Sequence, residues 1–444
     1  MPDFTPHTDE EIELMLAACG LSSTEELFDA IPEALRLAGG LDLAPGLSEP
    51  DVVAETQRLA GANPGADLIC FAGGGVYDHE VPAAVRRLGF RSEFVTAYTP
   101  YQPEVAQGVL QMLFEYQTLV ARLAGVEVAN ASLYDGASAL VEAANLAVAA
   151  TGRQTLWVSD GIHPTWREVL RTFAQGTGHD LQPIPLRDGV TDWPVAAEGN
   201  PPAAVLLAQP NHLGCLEDVA AAAALAHGLG GLCVVAADPV AAGLLRTPGE
   251  LGADVVVGEG QPFGTPMSFG GPFVGLFASS LAQVRRLPGR LVGETVDIEG
   301  RRAYVTTLRA REQDIRREKA SSNVCTNQTL IAVAFAIQLS WLGTQGLREL
   351  ALRCARGTRY CREALLGIEG VEPLVSAPTL REFSLALPVA PATAVERLAE
   401  EGFLAGVPLE GGPHHGEGLA VAITERRTRA EIDAFVAAFE KAVR

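Results

Sequence analysis

Lysine is almost missing from this chain. Its 444 residues include two, Lys319 and Lys441, beside 31 arginines, and no GxxxxGK[ST] phosphate loop occurs, which excludes nucleotide hydrolysis by that route. Other signatures are absent as well. The eight histidines form no HExxH, and His414 and His415 are adjacent, so their side chains diverge on any regular element and metal binding is not expected. GxSxG is lacking, and Gly73, Gly74 and Gly75 run together without the GxGxxG spacing, which weakens serine-hydrolase and dinucleotide readings. Seven scattered cysteines contain no CxxC pair and fit reduced thiols in a cytosol. Cys354 and Cys361, seven apart, fall on one face of an expected helix, where packing is their role. No basic patch offsets a formal charge of -21, so nucleic acid and anionic membranes are not expected partners. The best membrane candidate, residues 219–237, is broken by GLGG and reads as a helix, a turn and a strand.

What is present describes a large folded protein, with 48% hydrophobic and 20% charged residues. The acidic start differs from a basic presequence and reads as a mature N-terminus, its first helix capped by Thr8 with Glu11 closing the box. Residues 1–65 read as an N-terminal helical arm. From there the rhythm changes to short apolar strands at 156–159, 204–208, 232–237, 255–257 and 273–278, with helices such as 166–174 and 216–229 between them. That alternation predicts an α/β domain over 66–325, its mostly parallel sheet covered by helices on both faces. Residues 328–342 are apolar nearly all round and predict a buried helix leading out of that domain. Strands at 383–387 and 419–423 and a closing amphipathic helix predict a small α+β domain within 326–444.

Three segments carry chemistry. The loop 132–138, SLYDGAS, precedes a helical run and suits an anion at a helix N-terminus, or equally a plain N-cap by Asp135 or Ser138. Asp238 ends an apolar strand, where a carboxylate can pair with the protonated ring nitrogen of pyridoxal phosphate or simply begin a turn. Residues 254–277 read as a strand, a glycine-rich loop and a strand. In a pyridoxal-phosphate enzyme of this architecture that loop carries the Schiff-base lysine, and here it contains none.

The strings FAGGGVYDHEVPAAV (71–85), TPYQPEVAQGVLQMLFEYQTLVARLAGVEVANASLYDGASA (99–139), GQPFGTPMSFGGPFVGLFA (260–278) and REQDIRREKASSNVCTNQTL (311–330) resemble glycine decarboxylase, the P-protein of the glycine cleavage system. The resemblance spans the chain. It implies a fold-type I pyridoxal-phosphate-dependent transferase-like fold and a polypeptide that some organisms divide into two homologous subunits. This chain is similar to the first subunit, without the lysine. Gln261 stands where the lysine would be and Gly260 where the histidine before it would be. His163 and Asp238 match positions that stack on and bind the pyridine ring in the lysine-bearing half, and with Gln261 they are expected as a relic pocket. Codon bias toward arginine cannot account for the loss, because a guanidinium stays protonated and cannot replace a Schiff-base amine.

The resemblance further implies pyridoxal phosphate bound covalently by the partner subunit and not by this chain, and glycine as substrate. It also implies a lipoylated H-protein as acceptor, an α2β2 assembly in the cytoplasm and an oxidoreductase that is inactive as this chain alone. Pro100 and Pro103 stiffen AYTPYQPE into a loop, and Tyr98, Thr99 and Tyr101 are expected to line the partner's site. Two rivals stand beside this reading: an autonomous pyridoxal-phosphate enzyme and a structural or regulatory scaffold.

Overall fold

The computed structural model describes residues 6–37, 41–95, 99–194, 199–268, 270–320, 322–411 and 416–444. They fall into two compact units, Met1–Pro64 and Gly65–Arg444. In the first unit, helix α1 (Asp9–Cys19) is capped as the sequence predicts. The Thr8 side chain accepts from the Glu11 N–H, the Glu11 carboxylate accepts from the Thr8 N–H, and Gly20 at φ 72° ends the helix. Helix α2 (Glu49–Gly61) follows two short 3-10 turns. No described residue of this unit is buried, and Leu14, Phe28 and Leu35 lie exposed.

The second unit is built on a seven-stranded sheet. In chain order its strands are β1 (Val128–Ala129), β2 (Thr155–Ser159), β3 (Asp180–Ile184), β4 (Ala204–Gln209), β5 (Leu232–Ala237), β6 (Val255–Glu259) and β7 (Gly275–Ser279). Their spatial order is β1-β7-β6-β5-β4-β2-β3. Strands β2 to β6 run parallel, and β7 is antiparallel to both β6 and β1. Parallel neighbours need crossovers: helix α5 (Pro164–Thr177) joins β2 to β3 and helix α6 (Val219–Gly228) joins β4 to β5, two 3-10 turns join β5 to β6, and helix α4 (Gly136–Thr151) leads from β1 into β2. Successive side chains on a strand point to opposite faces. Cys233 and Val235 accordingly pack toward α6, helix α3 (Gln107–Ala124) and the start of helix α7 (Thr329–Leu365), while Val234 and Ala236 pack toward α4 and α5. With both faces covered, the strands need apolar side chains throughout, which is why they read as short unbroken runs.

Residues 219–237 form the expected helix, turn and strand, with the helix starting at Val219 because Asp218 caps it through the Ala221 N–H. The buried helix expected over 328–342 is present, with its core face inward and its ends less covered. The helix begins at Thr329, and although Val333, Phe335 and Ala336 are in the core, Leu330 and Trp341 are exposed. It is the one described helix long and apolar enough by length and composition to cross a membrane, yet Gly343, at φ 59° and ψ -175°, breaks it into two shafts. The second shaft buries Cys354 and Cys361 on one face, as their spacing predicts.

That shaft leads to a four-stranded antiparallel sheet of β8 (Glu372–Pro373), β9 (Glu382–Ala386), β10 (Val407–Leu409) and β11 (Gly418–Ala422), ordered β8-β9-β11-β10. Helices α8 (Pro391–Glu400) and α9 (Arg429–Val443) cover it. Phe71, reached by a two-residue strand that pairs with Phe403 and Leu404, stacks on Phe435 at 3.9 Å between ring centroids. Docking there sends residues 73–80 between the two sheets, where they form one wall of a cleft.

Candidate functional site

The cleft opens at the carboxyl ends of β4, β5 and β6, the place where parallel α/β sheets bind ligands. Loop 74–77 and the start of β9 close it from the other side. Including its open mouth the space measures about 610 Å³. Gly73 is required here by close approach, since a Cβ on it would lie 2.4 Å from Glu382 Oε1 and 2.7 Å from the Tyr77 ring. Gly74 and Gly75 take φ of 71° and 100°. The triple glycine therefore serves a tight turn against a carboxylate.

At the end of β5, Asp238 accepts from the Val240 N–H at 2.9 Å and pairs with Arg381, Nε to Oδ2, at 2.6 Å. Both side chains are shielded from solvent. The guanidinium lies 3.5 Å from the centroid of the Tyr77 ring. Glu382, beside Arg381 on the chain, accepts from the Gly74 N–H at 2.7 Å and from the Tyr77 hydroxyl at 2.8 Å. Burial raises the pKa of the Glu382 carboxyl, against these hydrogen bonds.

Arg381 Nη1, which can only donate, meets His79 Nε2, and this places the imidazole hydrogen on Nδ1, which donates to Glu425 at 2.7 Å. Burial pushes the Glu425 carboxyl up, but the hydrogen bonds from His79 and from the N–H of Glu80 prevail and hold it down at about 2. His79, Cys354 and Glu425 lie close enough together to suggest a metal site. The donor set does not suit a cation: Nδ1 is committed to Glu425, a guanidinium sits on the other ring nitrogen, and burial raises the Cys354 thiol well above its usual range.

At the opposite end, Asp135 caps α4 through the Ser138 N–H at 2.7 Å, the plainer of the two readings of SLYDGAS. A second carboxyl shares that helix start. Glu259, at the end of β6, accepts from the N–H groups of Gly136 at 3.0 Å, Gln261 at 3.0 Å and Val274 at 3.1 Å. Burial pushes its pKa up to about 7 in spite of the three donors.

Of the residues singled out from the sequence, His163, Asp238 and Gln261 do lie around this region. His163 caps α5 by accepting from the Thr165 N–H at 3.2 Å, and burial lowers its pKa. Gln261 is 1% exposed and has both ends of its amide engaged. Oε1 accepts from the Tyr77 N–H at 3.1 Å, and Nε2 donates to the carbonyls of Tyr77 and Thr265, each at 3.0 Å. It is a staple between loop 74–77 and loop 260–265. Tyr98 lies outside the described residues, as do His414 and His415. Thr99 has a shielded hydroxyl without a partner, and Tyr101 projects, 61% exposed, with the guanidinium carbons of Arg290 and Arg309 5.8 and 5.6 Å from its ring. These two stand apart from the cleft. Lys319 is exposed, and Lys441 is exposed and pairs with Glu401 at 3.4 Å. Sequence reasoning missed Arg381, Glu382, Glu259, His79 and Glu425. The available signal was Asp238 itself, since a carboxylate after an apolar strand needs a cation from elsewhere.

A seven-stranded mixed sheet, mostly parallel and joined by helices, with a cleft at the strand ends and a small antiparallel sheet across it, is the architecture of the fold-type I pyridoxal-phosphate enzymes. A sphingosine-1-phosphate lyase from Burkholderia pseudomallei shares the fold at a TM-score of 0.66 and 16% identity, over 93% of this chain and 94% of that one. The family model for the glycine cleavage system P-protein matches residues 2–439, and the chain belongs to that family. A relative from Moorella thermoacetica, named as a probable subunit 1 of glycine dehydrogenase (decarboxylating), is 47% identical over 438 residues, 98% of both chains. A crystal structure of glycine decarboxylase (P-protein) in inhibitor-bound form matches at a TM-score of 0.92 and 47% identity, covering 99% of this chain and 100% of that one.

The fold family implies pyridoxal phosphate, and the residues of this cleft do not fit it. No lysine lines the cleft, the Asp238 carboxylate is paired with Arg381, and the helix start that would receive a phosphate already holds Asp135 and Glu259.

Proposed function

We propose that this chain is the lysine-free subunit of a two-subunit glycine decarboxylase. Its homologous partner carries pyridoxal phosphate on a lysine, which supplies the electron sink for loss of carbon dioxide from glycine, and the aminomethyl group passes to the lipoyl arm of an H-protein. Two copies of each subunit assemble in the cytoplasm. This chain alone is inactive as an oxidoreductase, and Tyr98, Thr99 and Tyr101 line the partner's site, where they exclude water and orient the substrate.

The observation that carries the reading is Gln261. A neutral amide with three hydrogen bonds stands at the position of the nucleophile, in a chain otherwise similar from end to end to subunit 1 relatives. Two results test it. Borohydride reduction of the isolated chain with pyridoxal phosphate, followed by peptide mapping, should give no stoichiometric adduct on Lys319 or Lys441. Co-expression with the lysine-bearing homologue should give a complex that catalyses glycine-dependent carbon dioxide exchange. Exchange by the partner alone at the rate of the complex would refute the reading.

A further inference from the structure

The polar groups at both ends of the cleft are bonded within this chain. Asp238 faces Arg381 at 2.6 Å, and Arg381 is held in turn by the Tyr77 ring and by His79, which Glu425 fixes from behind. Asp238 follows β5 of the large sheet, whereas Arg381 and Glu382 lie at the start of β9 in the small sheet. The ion pair therefore ties one sheet to the other. Glu382, through Gly74 and Tyr77, and Gln261, through the Tyr77 backbone, together make a second tie by way of loop 74–77.

Admitting a cationic ring opposite Asp238 would leave the Arg381 guanidinium in a shielded place without its counter-ion, and that state is strongly disfavoured. A phosphate at the start of α4 would meet the Glu259 carboxyl, already bonded to Gly136 N–H, and the Asp135 carboxylate beside it. Neither end can take a ligand charge without displacing a side chain of the protein.

We propose that this cleft is closed by internal charges. Arg381 holds the place opposite Asp238 that a cationic ring would occupy, Glu259 holds the amide cradle that a phosphate would occupy, and the space works as a latch between the two sheets. This deepens the reading of the chain as the lysine-free subunit and rests on it only for the identity of the excluded ligand.

The test uses the isolated full chain, with pyridoxal phosphate as the probe in equilibrium dialysis. The wild type should retain no saturable ligand, and the double variant Arg381→Met/Glu259→Ala, which vacates both places, should bind it saturably, retaining at least ten times more than the wild type. Saturable binding by the wild type overturns the proposal, and so does a folded double variant that binds no better. Thermal melts of Asp238→Asn, Arg381→Met and their combination provide a readout independent of ligand. Each single change should lower Tm and the combination should recover most of the loss, because it removes both buried charges together. Simple addition of the two losses would show that no latch exists. A wild-type complex lacking glycine-dependent exchange would count against the proposed function and leave the dialysis and melting results as they are.

Discussion

Raising the pH from 5 to 8 should cost this chain stability through two buried glutamates. The carboxyls of Glu259 and Glu142 are both pushed up to about 7, chiefly by burial, against hydrogen bonds from backbone N–H groups for Glu259 and from Ser322 and Asn145 for Glu142. In the unfolded chain a glutamate ionises near pH ~4.3. A carboxyl whose folded pKa lies above its unfolded value favours the native state fully below the unfolded value. That advantage is lost as pH rises through the folded value. At about 1.4 kcal/mol for each tenfold, the separation amounts to about 4 kcal/mol per glutamate, of which roughly 2 to 3 is lost between pH 5 and 8. His163 and His179, both lowered by burial, act in the opposite sense and regain stability as pH rises toward about 6.5, above which the gain is complete. The slope of the wild type is therefore a sum of opposed effects. Glu259→Gln isolates one contribution, because its amide resembles the protonated acid and cannot ionise. Urea melts across the range should show the wild type losing about 2 to 3 kcal/mol relative to Glu259→Gln between pH 5 and 8. A difference that stays constant with pH would refute the assignment of a buried, titrating carboxyl at the start of α4.

Three further outcomes are expected. In the assembled complex, Tyr98→Phe or Tyr101→Phe should lower kcat/KM by a transition-state loss of about 1 to 3 kcal/mol while leaving assembly intact, and unchanged exchange kinetics in both would reduce this chain to a scaffold. Phe435→Ala removes the fully buried ring stacked on Phe71 and should cost about 3 to 5 kcal/mol in urea denaturation. Gln261→Ala leaves the Tyr77 N–H and the Thr265 carbonyl without the amide, while the Tyr77 carbonyl keeps the His79 N–H, so about 1 to 3 kcal/mol should be lost and hydrogen exchange at the Tyr77 amide should accelerate.

The parallel strands were legible because burial on both faces demands what a reader can see, a short run of apolar residues. Strand β3 was not, because it lies at the sheet edge: Asp180, Gln182 and Pro183 are exposed, and only Ile184 is buried. The closing helix and the cap at Thr8 were visible for local reasons, since each depends on neighbours within one turn. Half of the cleft was visible on the same ground. Asp238 follows its strand and Gln261 sits in a quoted loop, so both could be named from nearby residues. Arg381 could not, because its pairing with Asp238 depends on two sheets meeting and no local pattern records that. Gln261 is the instructive case. Comparison with a lysine-bearing loop identified what was missing, but only the three hydrogen bonds reveal what the amide does in its place.

The pair formed by Asp238 and Arg381 also bears on descent. Neither residue can change alone without stranding a charge beneath the small sheet, so selection for stability holds both even if the cleft never meets a ligand. A return to cofactor binding would need a lysine at position 261, release of Arg381 and vacation of the helix start by Glu259, and each step taken singly lowers the stability of the intermediate. The cleft thus works as a ratchet, which single substitutions do not easily turn back.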